Sequence, residues 1–548
     1  MKIVQSFWSC KETNLLKFSA GWYSPEYHLM SWTLSCLQLK QFYPEVTLHA
    51  DSVSARMLID TLKLPYDNVI CDLNCLDKYH PKLWALPKVH TYSKQKSPFL
   101  HIDGDVFIWN EFDEDLLRSK LIAQNEESAT IYYENILRSL EEVLSYFPTE
   151  IVNERKLANP VHAFNAGILG GNDIEFFEEY ATKAFQFVDN NVLNLSKVNV
   201  SNFNIFFEQY LFYCLVRSKN KRVSVLIDKV IGDNEYTGLG EFIDVPHNKK
   251  YLHLLGDYKR NDKVCLQMAQ RLREDYPEFY YRIISIFDKN RVPLSKNYFW
   301  FETDLSEQNL LAKHYSLKNL YLSNQIEVSN SISKSDNILF ESVYFRTSQL
   351  ENIFKIINVG ELNKEYAEKI NQYIEDIKNF EDCLFKILSE KFTSLSREYL
   401  LGRDLCNILY SPNIFSNSPL ILEKIILKDS LVQIIKSKYD WTILDSHDII
   451  NTGIPKLLEK ESSEVYTLVI PECDERGYSL SNVDNLDIII LDIIEEQKSI
   501  GELFNQLKSL FDNEDLENSK AEFEKLIFGR IKNGLLNKSI KVILPLPT

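Results

Sequence analysis

The sequence predicts an α/β protein built on a mostly parallel sheet. Apolar strand-like and amphipathic helix-like segments alternate through the first half of the chain. Gly and Pro are scarce, 16 and 17 of 548 residues, so no Gly/Pro-rich linker announces a domain boundary. An acidic doublet follows directly on an apolar strand. With 45% apolar and 25% charged residues, the composition is that of a globular chain, not of disorder or a fibre.

In chain order, Lys2 to Ser6 reads as a strand ending at Phe7-Trp8. Tyr27 to Gln41 carries Leu29, Trp32, Thr33, Cys36 and Leu37 at helical spacing, and Pro44 stops that helix. Glu45 to Asp51 reads as a strand ending in an acid. Ser54 to Leu62 is an amphipathic helix closed by Pro65, and Pro98 to Ile102 is a strand running into Asp103-Gly104-Asp105. Ala163 to Gly171 reads as one strand with a Gly-rich end, Ile174 to Val188 as a helix, and Asn204 to Val216 as a buried aromatic-rich helix. Lys221 to Ile231 fits either a strand or a helix start.

From about Leu266 the character changes. Arg271 to Ile286 and Glu361 to Ser394 read as helices. Further on, Val465 to Ile470 is a strand, and Leu486 to Glu495, Ile500 to Phe511 and Leu516 to Asn533 are three helices. Gly534 is expected as a C-cap and Lys541 to Leu544 as a terminal strand. The expected domains are therefore 1–275, an α/β unit; 276–440, a mostly helical region; and 441–548, a small α+β module.

Sixty-one Lys and Arg against 78 Asp and Glu give a net charge of −17, which disfavours nucleic acid and anionic membranes as partners. The start, Met1 to Trp8, lacks an apolar signal core. The most apolar stretches, Leu486 to Ile494 and Ile205 to Val216, fall short of the roughly 20 residues of a membrane span. Nine scattered cysteines, an odd number, read as free thiols in a reducing compartment, and a cytoplasmic location is expected.

Three constellations carry chemistry. In Phe99-Leu100-His101-Ile102-Asp103-Gly104-Asp105, two carboxylates one residue apart can turn toward one spot if Gly104 lets the backbone bend. Hard oxygen ligands suit Mn²⁺ or Mg²⁺. In His253-Leu254-Leu255-Gly256-Asp257-Tyr258-Lys259, an imidazole offers a third ligand, Gly256 permits close approach of a phosphate, and Lys259 supplies a point charge. In His162 to Gly171, the small residues around Asn165-Ala166-Gly167 let backbone lie against a ligand, with the Asn165 amide free to bond hydroxyls.

Taken together and in this order, these motifs resemble glycosyltransferases of the GT-A fold that use nucleotide-diphospho-sugars, in particular the glycogenin-like, galactosyltransferase-type families. The resemblance covers about residues 1–275. It implies that Asp103 and Asp105 bind Mn²⁺ and the donor diphosphate of a UDP-sugar, with His253 completing the metal site and Gly256 and Lys259 the phosphate contacts. It also implies that Asn165, Ala166 and Gly167 line the sugar pocket, that Lys88 is a basic donor-site residue, and that Phe7, Trp8 and Asp51 face the nucleoside. The family often continues with Pro-Trp after the Lys, where this chain has Arg260-Asn261; an acid-x-Gln is common near the acceptor, where Glu208 and Gln209 are adjacent here. Glu208 is the one candidate base for the acceptor hydroxyl, and retaining and inverting outcomes both stay open.

The last module has Leu491, Ile494, Ile500, Leu503, Leu507, Leu510, Phe523, Leu526, Ile527, Ile531 and Leu535 spaced for a small helical core. The run Ile490 to Leu503 with Gly534-Leu535-Leu536 is similar to winged-helix precursor-peptide recognition domains of the PqqD-like kind (RiPP recognition elements). That likeness implies a peptide or protein acceptor added as an extra strand. A purely structural or dimerising module is the alternative, and self-association stays open. A glycan or lipid-linked acceptor, a non-catalytic peptide-binding scaffold and a dehalogenase-type phosphohydrolase complete the readings; in the last the Asp-x-Asp normally opens the domain.

Overall fold

The structure is a computed structural model that describes residues 1–129, 131–157, 160–232, 235–246, 249–295, 304–322, 364–392, 399–404, 423, 425–442, 463–472, 477–510 and 520–543. The outer ends of some expected elements (361–363, 393–394, 511, 516–519 and 544) and Cys406 and Cys473 lie outside the described residues. The chain forms two compact units, Met1–Leu311 and Ala312–Thr548.

In the first unit the strands are β1 (Lys2–Phe7), β2 (Val46–Ala50), β3 (Asn68–Ile70), β4 (Phe99–Ile102), β5 (Val106–Ile108), β6 (Ile122–Ala123), β7 (Glu126–Ala129), β8 (Val161–Phe164), β9 (Ile168–Gly171), β10 (Ser224–Val225), β11 (Ile231–Gly232) and β12 (Tyr251–His253). The main sheet runs β10-β6-β9-β4-β1-β2-β3. β1 pairs in parallel with β2 and β4, as does β2 with β3 and β10 with β6; β9 runs antiparallel to both neighbours. Strand residues alternate between two apolar layers: Val4 and Phe99 join a cluster with Val89 and Phe177, whereas Ile3, Leu100 and Ile102 join Leu39 and Val106 on the other face. Both faces are thus covered, as parallel sheets require.

The Pro25–Phe42 helix starts with Pro in its first turn and ends before Pro44, consistent with the sequence pattern. In place of the one helix expected over Arg271–Ile286 there are two, Asp262–Asp275 and Pro277–Lys289. Pro277 pushes Tyr276 out of the helical region, to φ −144°, and the helix breaks there. The single strand expected over Ala163–Gly171 is likewise two. Asn165 Oδ1 accepts from Gly167 N at 2.9 Å, turning the chain so that β8 pairs with β7 while β9 joins the main sheet. The Lys221–Ile231 segment contributes two-residue strands, β10 and β11.

In the second unit the described strands are β13 (Ile425–Lys428), β14 (Gln433–Ser437), β15 (Val465–Pro471), β16 (Tyr478–Val483), β17 (Lys498–Ser499) and β18 (Ile540–Ile543). They form two antiparallel sheets, β17-β13-β18 and β14-β15-β16. Helices Asn485–Ile493, Ile500–Lys508 and Lys520–Leu536 follow β16, the first two opened by capping boxes at Asp484 and Ser499. Ile490, Leu491, Ile494, Ile500, Leu503, Leu507, Ile527, Ile531 and Leu535 share one core with Ile426, Leu468 and Ile470. Leu510 and Leu526, expected in that core, are exposed. Gly534 is not the cap: the helix runs two residues further, and Lys538 takes the left-handed conformation at φ 65° beyond its end. Gly534 is small because a Cβ there would stand 2.4 Å from Ile540. Among the described residues, no helix is long and apolar enough to cross a membrane.

Candidate metal and donor site

The turn from β4 to β5 carries Asp103-Gly104-Asp105. Asp103 N donates to Gly167 O (2.9 Å), and Ser31 Oγ donates to Gly104 O (2.7 Å), so the turn is held from two sides. Gly104 is required, since a Cβ would lie 2.4 Å from the Trp32 ring. β12 pairs antiparallel with β5 and sets His253 opposite Val106, one residue past Asp105. Single ligand atoms of Asp103, Asp105 and His253 lie within 4.8 Å of one another, and His253 Nε2 is 3.4 Å from Asp105 Oδ1. An imidazole far downstream in the chain thus meets the acid pair through one strand pairing.

The donor chemistry fits a divalent cation. His253 Nδ1 is held 2.6 Å from Gln124 Oε1, which leaves Nε2 as the ring atom that faces Asp105 and could ligate a cation. Burial pushes the Asp103 carboxyl up to about 6, with the charges of Asp105 and Glu208 adding to the rise and Lys88 opposing it. Negative charge is therefore crowded around Asp103. Burial also pulls the Asp105 carboxyl upward, but Lys259 and His253 outweigh it and hold Asp105 well below the usual carboxylate range.

Two lysines flank the triad. Lys259, on the short turn that Gly256 opens at φ +44°, pairs with Asp105 Oδ2. Lys88, buried on the Leu86–Lys94 helix, lies 3.0 Å from Asp103 Oδ2 and 2.6 Å from Glu208 Oε1. Desolvation works against its charge, but Asp103 and Glu208 more than restore it. Glu208 has no exposed surface, and burial raises its carboxyl against the pull of Lys88. Gln209 is half-buried and accepts from Tyr133 Oη at 3.4 Å.

Asn165 donates to Glu127 Oε1 at 2.9 Å and to Tyr236 Oη at 3.1 Å, while Ala166 is buried behind it. A Cβ on Gly167 would lie 2.3 Å from the His253 ring, so this residue seats the imidazole as well as the turn. The buried Glu127 carboxylate also accepts from Tyr133 and Tyr236. Phe7 stacks on Trp32 at 4.6 Å, Trp8 Nε1 donates to Asp77 at 3.0 Å, and Asp51 accepts from Ser54 N (2.7 Å) and Ser9 N (2.5 Å). All three are buried at the ends of β1 and β2. Gln124, Glu127, Tyr133 and Tyr236 belong to no motif in the sequence. The one signal, for Gln124 and Glu127 alone, is the polar run Gln124-Asn125-Glu126-Glu127 after the apolar Leu121-Ile122-Ala123.

The chain belongs to a family of unknown function (DUF6734), whose match spans residues 1–286. No curated protein matches it. Among solved structures, the apo crystal structure of mouse xyloside xylosyltransferase 1 is similar at 13% identity with a TM-score of 0.24, over 41% of this chain and 84% of that one. A likeness of that size says nothing of what this chain binds or turns over.

Proposed function

We propose that the protein is a metal-dependent glycosyltransferase that moves a sugar from a UDP-sugar to a peptide or protein acceptor. The observation that carries this reading is the meeting of Asp103, Asp105 and His253 within 4.8 Å at the end of a buried, mostly parallel sheet. Ligands bind at the carboxyl ends of such strands. Two carboxylates and one imidazole suit Mn²⁺ or Mg²⁺, which would act as a Lewis acid toward the departing nucleoside diphosphate.

The protein groups do the rest. Lys259 and the Gly256 turn face the same acid pair and can take up phosphate oxygens. Lys88 adds a fixed positive charge whose position Glu208 sets, preorganised before substrate arrives. We assign Glu208 this holding role in preference to deprotonating the acceptor, because it is fully buried and paired. Asn165-Ala166-Gly167 and the Glu127 cluster form a polar wall for the sugar. Phe7, Trp8 and Asp51 serve the nucleoside as a buried floor. The peptide acceptor rests on the second unit, where β16 is an edge strand among the described residues and a cavity of about 270 Å³ lies against Asn482, Asp487, Arg530 and Asn533.

The test is release of free UDP from a panel of UDP-sugars with Mn²⁺, with and without EDTA. Release that is abolished by EDTA and by Asp105→Ala supports the proposal. Inertness toward every donor, or phosphate release from phosphomonoesters instead, overturns it.

A further inference from the structure

Of the six tryptophans among the described residues, five are under 10% exposed; Trp84 is 41% exposed. A lone exposed apolar side chain is ordinary on a protein surface, and Trp84 stands out by how it is held and by what it borders. Its backbone is not loose. The buried Asn204 side chain clamps the loop on both sides of Trp84: Nδ2 donates to Lys82 O at 2.8 Å, and Oδ1 accepts from Ala85 N at 2.9 Å. The neighbours Leu83, Ala85 and Leu86 are fully buried in the cluster that holds Trp8. A rigid loop therefore presents a single large side chain outward.

Its position is also defined. The Lys88 ammonium lies over the Trp84 ring, 5.9 Å from the centroid, and the same ammonium pairs with Asp103 at 3.0 Å. Trp84 thus borders the acid pair, on the segment packed against the end of β1. A flat, rigid π-face beside a cation-holding site is suited to a planar heterocycle attached to a phosphate group.

We propose that Trp84 is a donor-binding residue whose indole stacks on the nucleobase. This rests on the glycosyltransferase reading above. A stacked base loses about 5- to 140-fold in affinity when its aromatic platform is removed. Trp84→Ala is expected to raise the KM for the UDP-sugar by that order with kcat nearly unchanged, and Trp84→Phe to restore most of it. In a separate titration with Mn²⁺ present, UMP and UDP are expected to quench tryptophan emission in the wild-type chain, and the greater part of that quench, all but the share of the buried Trp8, is expected to be lost in Trp84→Phe. An unchanged donor KM in Trp84→Ala, a KM effect confined to the acceptor, or a quench by simple glycosides and not by UMP overturns the assignment. If the wild-type chain turns over no donor at all, the enzymatic reading fails on its own, while the UMP titration still decides whether Trp84 stacks a base.

Discussion

Lys88 Nζ stands 2.6 Å from Glu208 Oε1, and that carboxylate has no exposed surface. The same ammonium lies 3.0 Å from Asp103 Oδ2, so it is shared between the buried Glu208 and an acid of the candidate metal cluster. Breaking a buried pair from one side strands the other charge, at a cost of about 3–5 kcal/mol. Lys88→Met should therefore lower stability by that order in chemical denaturation. The double variant Lys88→Met/Glu208→Gln should recover most of the stability but not UDP release. Recovery of both would show that Lys88 plays no part beyond neutralising Glu208.

Gly167→Ala addresses the seating of His253. The added methyl would stand 2.3 Å from the imidazole, inside any normal contact, so the ring or the turn must move. The expected outcome is a folded protein whose Mn²⁺ affinity falls by roughly 10- to 100-fold, the range for disturbing the support of a metal ligand. Calorimetric titration reads it directly.

Stability should fall in mild acid through His28. This imidazole is buried, accepts from Trp32 Nε1 at 3.1 Å, and lies 3.1 Å through Nδ1 from Phe18 O. Burial pushes it down to about 4, partly opposed by the Phe18 carbonyl. Its pKa is depressed on folding, so its contribution is fully present above the unfolded value of about 6.5 and is lost as pH falls toward 4, amounting to about 3 kcal/mol. Urea midpoints between pH 7 and pH 4 should drop steeply in the wild type and less in His28→Gln. Parallel slopes would assign the acid loss to other groups.

The two units predict separable functions. A chain of residues 1–311 contains every group of the proposed metal and donor site, and it should release UDP with Mn²⁺ at close to the full-length rate. It should fail to glycosylate a peptide acceptor that the full chain accepts. Equal transfer by both would remove the second unit from acceptor binding.

Much of the metal cluster is legible in the sequence because its chemistry is local. Asp103-Gly104-Asp105 follows an apolar strand, and His253 is spaced with Gly256 and Lys259 as a phosphate-facing unit. What closes the cluster in space is the β5–β12 pairing, which no periodicity announces. The break at Asn165 is hidden because Ala163 to Gly171 is otherwise apolar or small, and only a side-chain turn divides it. Tyr133 and Tyr236 are invisible for a different reason: the Tyr236–Glu127 contact, for one, spans 109 residues and follows no motif. In the second unit, helix order is readable from spacing. Leu510 and Leu526 show that spacing alone assigns residues to the core face more generously than packing does.

The most direct measurement is the electron paramagnetic resonance signal of Mn²⁺ titrated with the protein in the presence of UDP. Binding should erase the sharp multi-line signal of the aqueous ion at equimolar protein in the wild-type chain. In Asp103→Ala/Asp105→Ala and in His253→Ala the free signal should persist. An unchanged aqueous signal with the wild type, or equal binding by all three chains, would contradict a cation held by Asp103, Asp105 and His253.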